Sequence, residues 1–161
     1  MYGNPEKVLN LFRQLEGQNI AYAVLRDLEH SIPDKVDNTK DIDIIVYEKD
    51  KDKFHKFMKQ NKFTQVRHPW NFENNFVFLY AMDPLEFYVK DIFHLDICYQ
   101  LCCRSSDHGE WLPIDQMVQK SVWENRRKNL QYGYFQLSAE DEFVHLITRC
   151  IFDKNAIKNR I

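Results

Sequence analysis

Three acidic residues in two apolar segments are the side chains of this sequence best suited to chemistry. Asp41 and Asp43 open an apolar run, residues 40–47, that is typical of a β-strand. Because side chains alternate between the two faces of a strand, Asp41, Asp43 and Ile45 share one face. Two neighbouring carboxylates repel each other, and a divalent cation relieves that repulsion. The Asp-x-Asp pair therefore predicts the centre of a metal site, the alternative being two solvated acids at the start of a strand.

A third carboxylate, Asp96, lies in a second apolar run, residues 93–101. In the strand predicted there, Asp96 shares a face with His94, Cys98 and Gln100, while apolar and aromatic side chains occupy the other face. An isolated acid in such a strand is either a structural partner of an arginine or lysine or a further metal ligand. The metal site requires that the two strands bring their acids together.

Composition bounds the class of protein. With 161 residues, of which 44% are hydrophobic and 14% aromatic, the chain fits one domain with a packed core. A net charge of −2 and a pI near 6.3 give no broad basic surface, which argues against a protein that binds mainly nucleic-acid phosphates and leaves room only for a local basic pocket. The N-terminus lacks the apolar run of a signal peptide and no stretch could span a bilayer, which predicts a cytoplasmic protein without a membrane partner. Four glycines cannot build a P-loop or a dinucleotide fingerprint, and the four cysteines lack zinc-site spacing.

Hydrophobic periodicity and turn residues predict the elements that position these acids. Helices are predicted at residues 5–16, 48–61, 114–126 and from Ser138 onwards. Strands are predicted at 20–25, 40–47, 63–66, 76–82, 86–90, 93–101 and 132–137, with an aromatic loop at 68–72.

The last helix begins at a capping box in which Ser138 is followed at the third position by Asp141. Its spacing predicts a buried apolar stripe, made of Phe143, Leu146, Ile147, Cys150 and Ile151. His145 and Arg149, four residues apart, are then expected on an ordinary polar face. The alternative is that both face a cleft and contact phosphate or substrate.

These residues together resemble the nucleotidyltransferase superfamily, the β-polymerase-like group that includes aminoglycoside nucleotidyltransferases and small bacterial nucleotidyltransferases. Residues 22–26 match the first strand, Asp41-Ile-Asp43 opens the second, and His94-Leu-Asp96 lies on a later one. The resemblance implies an α+β fold with a mixed β-sheet, helices packed mainly on one face, and a helical C-terminal part. It divides the chain into a core, residues 1–137, and a C-terminal helix, residues 138–161, of a minimal or a truncated protein.

The resemblance also implies a reaction. Asp41 and Asp43 would hold two Mg²⁺ ions, or Mn²⁺, one of which carries an NTP such as ATP. Asp96 would complete the second metal site and help to deprotonate a hydroxyl group of a small molecule, such as a sugar, polyol or antibiotic. That hydroxyl would then take the nucleoside monophosphate and expel pyrophosphate.

One departure from the family bears on phosphate binding. The superfamily usually carries a Gly-Ser or Gly-Gly turn after the first strand, where this chain has Leu25-Arg26-Asp27. Arg26 is the natural substitute because a guanidinium binds phosphate oxygens bidentately, with Lys35 and Lys40 as weaker candidates. The missing turn also leaves open a non-catalytic binding module that binds a partner or neutralises a toxin. An enzyme resembling phosphocholine transferases, with a different donor, is a third alternative.

Overall fold

The computed structural model describes most of the chain in seven segments, which are residues 5–27, 32–34, 36, 41–66, 85–91, 93–104 and 111–153. Helices α1 to α4 span Pro5–Gly17, Lys51–Gln60, Gln116–Asn125 and Ala139–Thr148. Strands β1 to β5 span Tyr22–Val24, Ile42–Val46, Thr64–Val66, Glu86–Lys90 and Phe93–Cys98. Strands β6 to β9 span Cys102–Arg104, Trp111–Pro113, Arg127–Lys128 and Phe135–Gln136. Among the described helices, none is long and apolar enough to cross a membrane.

A mixed sheet forms the centre of the molecule. Within the described segments its strand order is β3-β4-β5-β2-β1-β9-β8, and β6 and β7 form a separate hairpin. The central pair, β2 and β5, is parallel, as is the pair of β1 with β9, while the other neighbours run antiparallel. The α+β class with a mixed sheet is therefore confirmed.

The larger core lies on the face of the sheet covered by α1 and α2. Pro5 begins α1, where its fixed φ suits the first helical turn. The helix then buries Val8, Leu11, Phe12 and Leu15, one apolar stripe at helical spacing. Helix α2 buries its predicted apolar side against the same face, through Phe54, Phe57 and Met58.

Strand alternation divides the side chains of β2 between the two faces. Ile42, Ile44 and Val46 belong to the larger core, whereas Ile45 belongs to a smaller cluster on the opposite face, which contains Val122 of α3. Asp43 shares the face of Ile45 because the two residues are two apart along the strand. The face with the smaller core is therefore the one that presents the carboxylates.

Side-chain caps start both helices of the second half. Asp115 Oδ1 accepts a hydrogen bond of 2.7 Å from the backbone N–H of Met117 at the start of α3. At α4, Ser138 Oγ accepts from the backbone N–H of Asp141 at 3.1 Å and donates to its carboxylate at 2.6 Å. The N-cap at Ser138 is therefore confirmed, but Asp141 accepts a hydrogen bond from the Ser138 hydroxyl and not, as a capping box requires, from its backbone N–H.

Several predicted boundaries differ from the structure. The first strand spans only Tyr22–Val24, and the strand predicted at 132–137 is reduced to Phe135–Gln136. The β6–β7 hairpin occupies part of the segment between residues 101 and 114, for which no helix or strand is predicted. The strand predicted at 76–82 and the aromatic loop at 68–72 lie outside the described residues.

The predicted buried stripe of the last helix is wrong. Phe143 is 63% exposed, Ile147 44% and Ile151 39%, whereas Asp141 and His145 are buried. Helical spacing identifies residues that share a face, but it does not say which face meets the protein. Here the face carrying Glu142 and His145 is the one that lies against the segment that follows β1.

Candidate active site

Asp43 and Asp96 lie side by side in the middle of the sheet. The parallel register of β2 and β5 pairs Asp43 with Asp96 and Ile44 with Ile97. Ile44 and Ile97 are buried in the larger core, so the two aspartates project from the opposite face. The side chain of Asp43 is 18% exposed. Two segments far apart in sequence thus deliver adjacent carboxylates to one partly buried place.

Asp41, the other half of the Asp-x-Asp pair, occupies a more open position. It lies immediately before β2, and its side chain is 54% exposed. Its Oδ1 is 3.6 Å from Nδ1 of His94, the residue that begins the outward-facing row of β5. The structure therefore brings Asp41 beside His94. Each of these two residues precedes a member of the Asp43–Asp96 pair by two positions.

Arg26, which follows β1, contacts both β2 and α4. Its guanidinium forms an ion pair with Asp43, and its backbone N–H donates to Glu142 Oε1 at 2.9 Å. Its φ of 59° lies in the left-handed region that glycine adopts most readily. Strain of this kind persists only where surrounding contacts hold it. Arg26 thus takes a glycine-like backbone conformation at the place where the resembling family carries its Gly-rich turn.

The other two predicted phosphate-binding residues, Lys35 and Lys40, lie outside the described residues. The local cationic charge that the structure does show comes from Arg26 and from Arg149, which follows α4. Burial, together with the nearby charge of Arg149, lowers the pKa of Arg26. Two guanidinium groups close enough to affect each other favour an anionic ligand between them.

Helix α4 and the turn after it contribute two residues to the cleft, both of which were expected on an ordinary polar face. His145 is only 3% exposed and, with Arg149, lines the same cleft as Asp43 and Asp96. Burial lowers the pKa of His145 to about 4, and the charges of Arg149 and Arg26 act in the same direction. The imidazole is therefore neutral at pH 7. Their four-residue spacing indicates that His145 and Arg149 share one side of the helix. The prediction was wrong because it buried the apolar side instead of this one.

Two other groups in this region were not identified from the sequence. Glu142 is partly buried beside Arg26, and desolvation raises its pKa despite the hydrogen bond from the Arg26 backbone. Trp111, the first residue of β7, lines the same cleft as the aspartates. No motif predicted either, because both reach the site through contacts between elements far apart in the chain.

The cleft itself is small. Its cavity has a volume of about 30 Å³, and Leu25, Cys98 and Leu101 provide apolar surface around the charged groups. Burial raises the pKa of the Cys98 thiol to about 12, so this side chain stays uncharged. A cavity of this size holds about two water molecules or one small polar group.

The donor atoms suit magnesium only in part. Among the residues that the structure describes, no group of three or more His, Cys, Asp or Glu side chains could hold a metal ion. Asp43 and Asp96 nevertheless form an adjacent pair of carboxylates, and Mg²⁺ is commonly held by one or two carboxylates together with water and phosphate. This pair fits the ion once Arg26 leaves Asp43. The assignment of Asp41, Asp43 and Asp96 together as ligands stays a prediction.

Comparison with known proteins gives a fold relationship. No protein-family model matches the chain, and no curated protein matches its sequence. The structure is similar to a crystal structure from Thermotoga maritima named as that of a "putative nucleotidyltransferase", with a TM-score of 0.56. The match covers 99% of this chain and 95% of that one at 16% sequence identity. The resemblance to nucleotidyltransferases is thereby confirmed for the fold.

Proposed function

We propose that this protein is a Mg²⁺-dependent nucleotidyltransferase that moves a nucleoside monophosphate from an NTP to a hydroxyl group of a small molecule. The observation that carries the proposal is the pairing of Asp43 with Asp96 on adjacent parallel strands, at the wall of a cleft that also contains Arg26 and Arg149. Adjacent acids suit a divalent cation, and the arginines suit phosphate. The nucleotidyltransferase-like fold supports this assignment.

In the proposed reaction Asp43 and Asp96 would hold the metal, and Asp41 is the third candidate ligand. The chemistry that a bound Mg²⁺ supplies is neutralisation of phosphate charge and polarisation of the α-phosphate. Arg26 exchanges its carboxylate partner for phosphate oxygens, which a guanidinium binds with two parallel hydrogen bonds. Lys35 and Lys40 remain further candidates for contacts with the phosphates.

Asp96 acts as the base in this proposal. Its carboxylate takes the proton of the acceptor hydroxyl, whose oxygen forms a bond to the α-phosphorus as the bond to pyrophosphate breaks. The near-neutral pI favours a small acceptor such as a sugar, a polyol or an antibiotic over a polynucleotide.

The test is nucleotidyl transfer from α-labelled NTPs to a panel of hydroxyl compounds with Mg²⁺. Asp43→Asn and Asp96→Asn keep the shape of the side chain and remove its charge, so we expect each to lower kcat at least about 100-fold. Asp52→Asn, which changes an exposed acid of α2, serves as the matched control and should retain full activity. Transfer at the wild-type rate in Asp43→Asn would rule out the proposed site.

One observation favours a second candidate, a non-catalytic binding module with the same fold. Asp43 already has a cationic partner in Arg26, and the described residues form no metal site of three ligands. Because Arg26 already neutralises the charge of Asp43, the site needs no metal ion to be stable. Calorimetry with Mg²⁺ and each NTP separates the two, because micromolar binding counts against the module and absence of both binding and transfer supports it.

A further inference from the structure

Three buried nitrogen atoms in this cleft lack hydrogen-bond partners among the described residues. They are Nε of Arg26, Nε1 of Trp111 and Nδ1 of His145, and the structure records no other such side-chain atom in the part of the chain it describes. All three residues line the one cleft that contains Asp43 and Asp96. Buried polar groups in folded proteins are nearly always hydrogen-bonded, and leaving one unpaired costs about 1–3 kcal/mol. Their convergence points to a ligand that satisfies them together.

The types of these atoms define the ligand. The Nε–H of arginine and the indole N–H of tryptophan can only donate hydrogen bonds, so the ligand must present acceptor oxygens. A neutral imidazole can donate or accept through Nδ1, and burial of His145 keeps it neutral at pH 7. Arg26 and Arg149 add positive charge. Donors combined with guanidinium groups favour an oxyanion over an uncharged carbonyl or hydroxyl.

The ion pair with Asp43 leaves this donor set available. The pair uses Nη2 of Arg26, whereas the unpartnered atom is Nε of the same side chain. The donors also come from elements that are separate in sequence, since Arg26 follows β1, Trp111 begins β7 and His145 lies in α4. His145 is 3% exposed, so its Nδ1 is not a surface group that bulk water can hydrogen-bond.

We infer that this cleft binds an oxyanion, a phosphoryl or carboxylate group, through Nε–H of Arg26 and Nε1–H of Trp111, next to His145 and Arg149. The cavity volume of about 30 Å³ suits one such group of a larger molecule. The identity of that molecule rests on the proposed function, and it is either the polyphosphate of the nucleotide or an acidic group of the acceptor. Binding of the oxyanion itself does not require the transfer reaction.

The experiment uses the full chain with EDTA and no added metal, so that binding is measured apart from transfer. The indole ¹H–¹⁵N resonance of Trp111 is identified by its loss in Trp111→Phe, and inorganic pyrophosphate and malonate are titrated separately. We expect this resonance to shift with saturation. A response to pyrophosphate assigns the site to a polyphosphate, and a response to malonate alone assigns it to an acidic acceptor. No shift with either anion at millimolar concentration overturns the inference.

Matched variants test whether the named nitrogen atoms bind the anion. Trp111→Phe keeps an aromatic ring and deletes the N–H, and we expect calorimetry to show affinity weakened at least about tenfold. Trp123→Phe, whose ring packs on Tyr47 outside the cleft, should bind like the wild type. His145→Asn retains a polar nitrogen and should bind more tightly than His145→Leu. Unchanged affinity in Trp111→Phe would overturn the inference even if one histidine variant failed to fold.

The outcome separates this inference from the proposed function. Pyrophosphate binding that persists without any detectable nucleotidyl transfer would count against the enzyme and leave the oxyanion site in place. Transfer that depends on Asp43, combined with a Trp111 resonance that neither anion moves, would support the enzyme and count against the oxyanion site.

Discussion

Burial of His145 gives the stability of this protein a specific dependence on pH. The native state holds the imidazole pKa at about 4, against an ordinary value of 6.5, because α4 packs this side chain into the cleft. The unfolded chain therefore takes up a proton more readily than the folded one. The contribution of His145 to stability is fully present above pH 6.5 and is lost progressively as the pH falls towards 4.

The magnitude follows from the shift. A difference of one pKa unit corresponds to about 1.4 kcal/mol, so the full effect is about 3 kcal/mol. Between pH 7.5 and pH 5 the linkage relation gives a loss of about 2 kcal/mol, which is a substantial part of the stability of a small domain. Since His145 is almost completely buried, solvent screening reduces this figure little.

The assay is urea denaturation of the wild type and of His145→Asn at several pH values between 7.5 and 5. Asparagine cannot ionise, so the difference in unfolding free energy between the two proteins isolates the histidine from carboxylates that titrate in both. We expect this difference to change by about 2 kcal/mol in favour of the variant as the pH falls. NMR of the imidazole provides an independent check, because the His145 ring protons should not titrate between pH 8 and pH 5.5.

Two results would refute this reasoning. One is a difference in unfolding free energy that stays constant between pH 7.5 and pH 5. The other is an imidazole that titrates with a midpoint near 6.5, which would show that α4 does not bury His145 in solution. A lower stability of His145→Asn at all pH values would not refute it. Lost packing lowers the unfolding free energy equally at every pH and leaves its dependence on pH unchanged.

Three further predictions concern contacts that hold the site together. Ser138→Ala removes the cap of α4 and should destabilise the protein by about 1 kcal/mol, measured by denaturant midpoint, with an unchanged midpoint arguing against the cap. Tyr134→Phe deletes the 2.7 Å hydrogen bond from Tyr134 to Asp27 and should lower stability by about 1–3 kcal/mol in the same assay, and no loss would show that this bond is not maintained. Arg26→Ala leaves Asp43 without its cationic partner, so Mg²⁺ should raise the melting temperature of this variant more than that of the wild type. An equal response of both proteins to Mg²⁺ would indicate that the ion does not compete with Arg26 for Asp43.

Local pattern was sufficient to predict much of the scaffold. The alternation of β2 placed Asp43 opposite Ile42 and Ile44, and the structure buries both isoleucines in the larger core. The apolar side of α2 and the N-cap at Ser138 also appear where periodicity and cap chemistry place them. These features depend on residues within a few positions of each other, so the local sequence contains the information that specifies them.

Pairing between distant segments was beyond such reasoning. The sequence contains Asp43 and Asp96, but only the parallel register of β2 with β5 puts one beside the other. A register shift of two residues would keep Asp96 on the same face but place it beside Asp41 or Ile45 instead of Asp43, and neither strand alone excludes that shift. Arg26 and Trp111 reach the same cleft through further long-range contacts.

The orientation of α4 shows the same division most clearly. The sequence by itself determined that Phe143 and Ile147 share one side of the helix and His145 and Arg149 another, because a helix repeats every 3.6 residues. Only the tertiary structure decided that the histidine side turns inward, where Glu142 accepts the hydrogen bond of the Arg26 backbone. The residue that contacts Glu142 is Arg26, 116 residues away in the chain, so the pattern within the helix could not predict which side faces the protein.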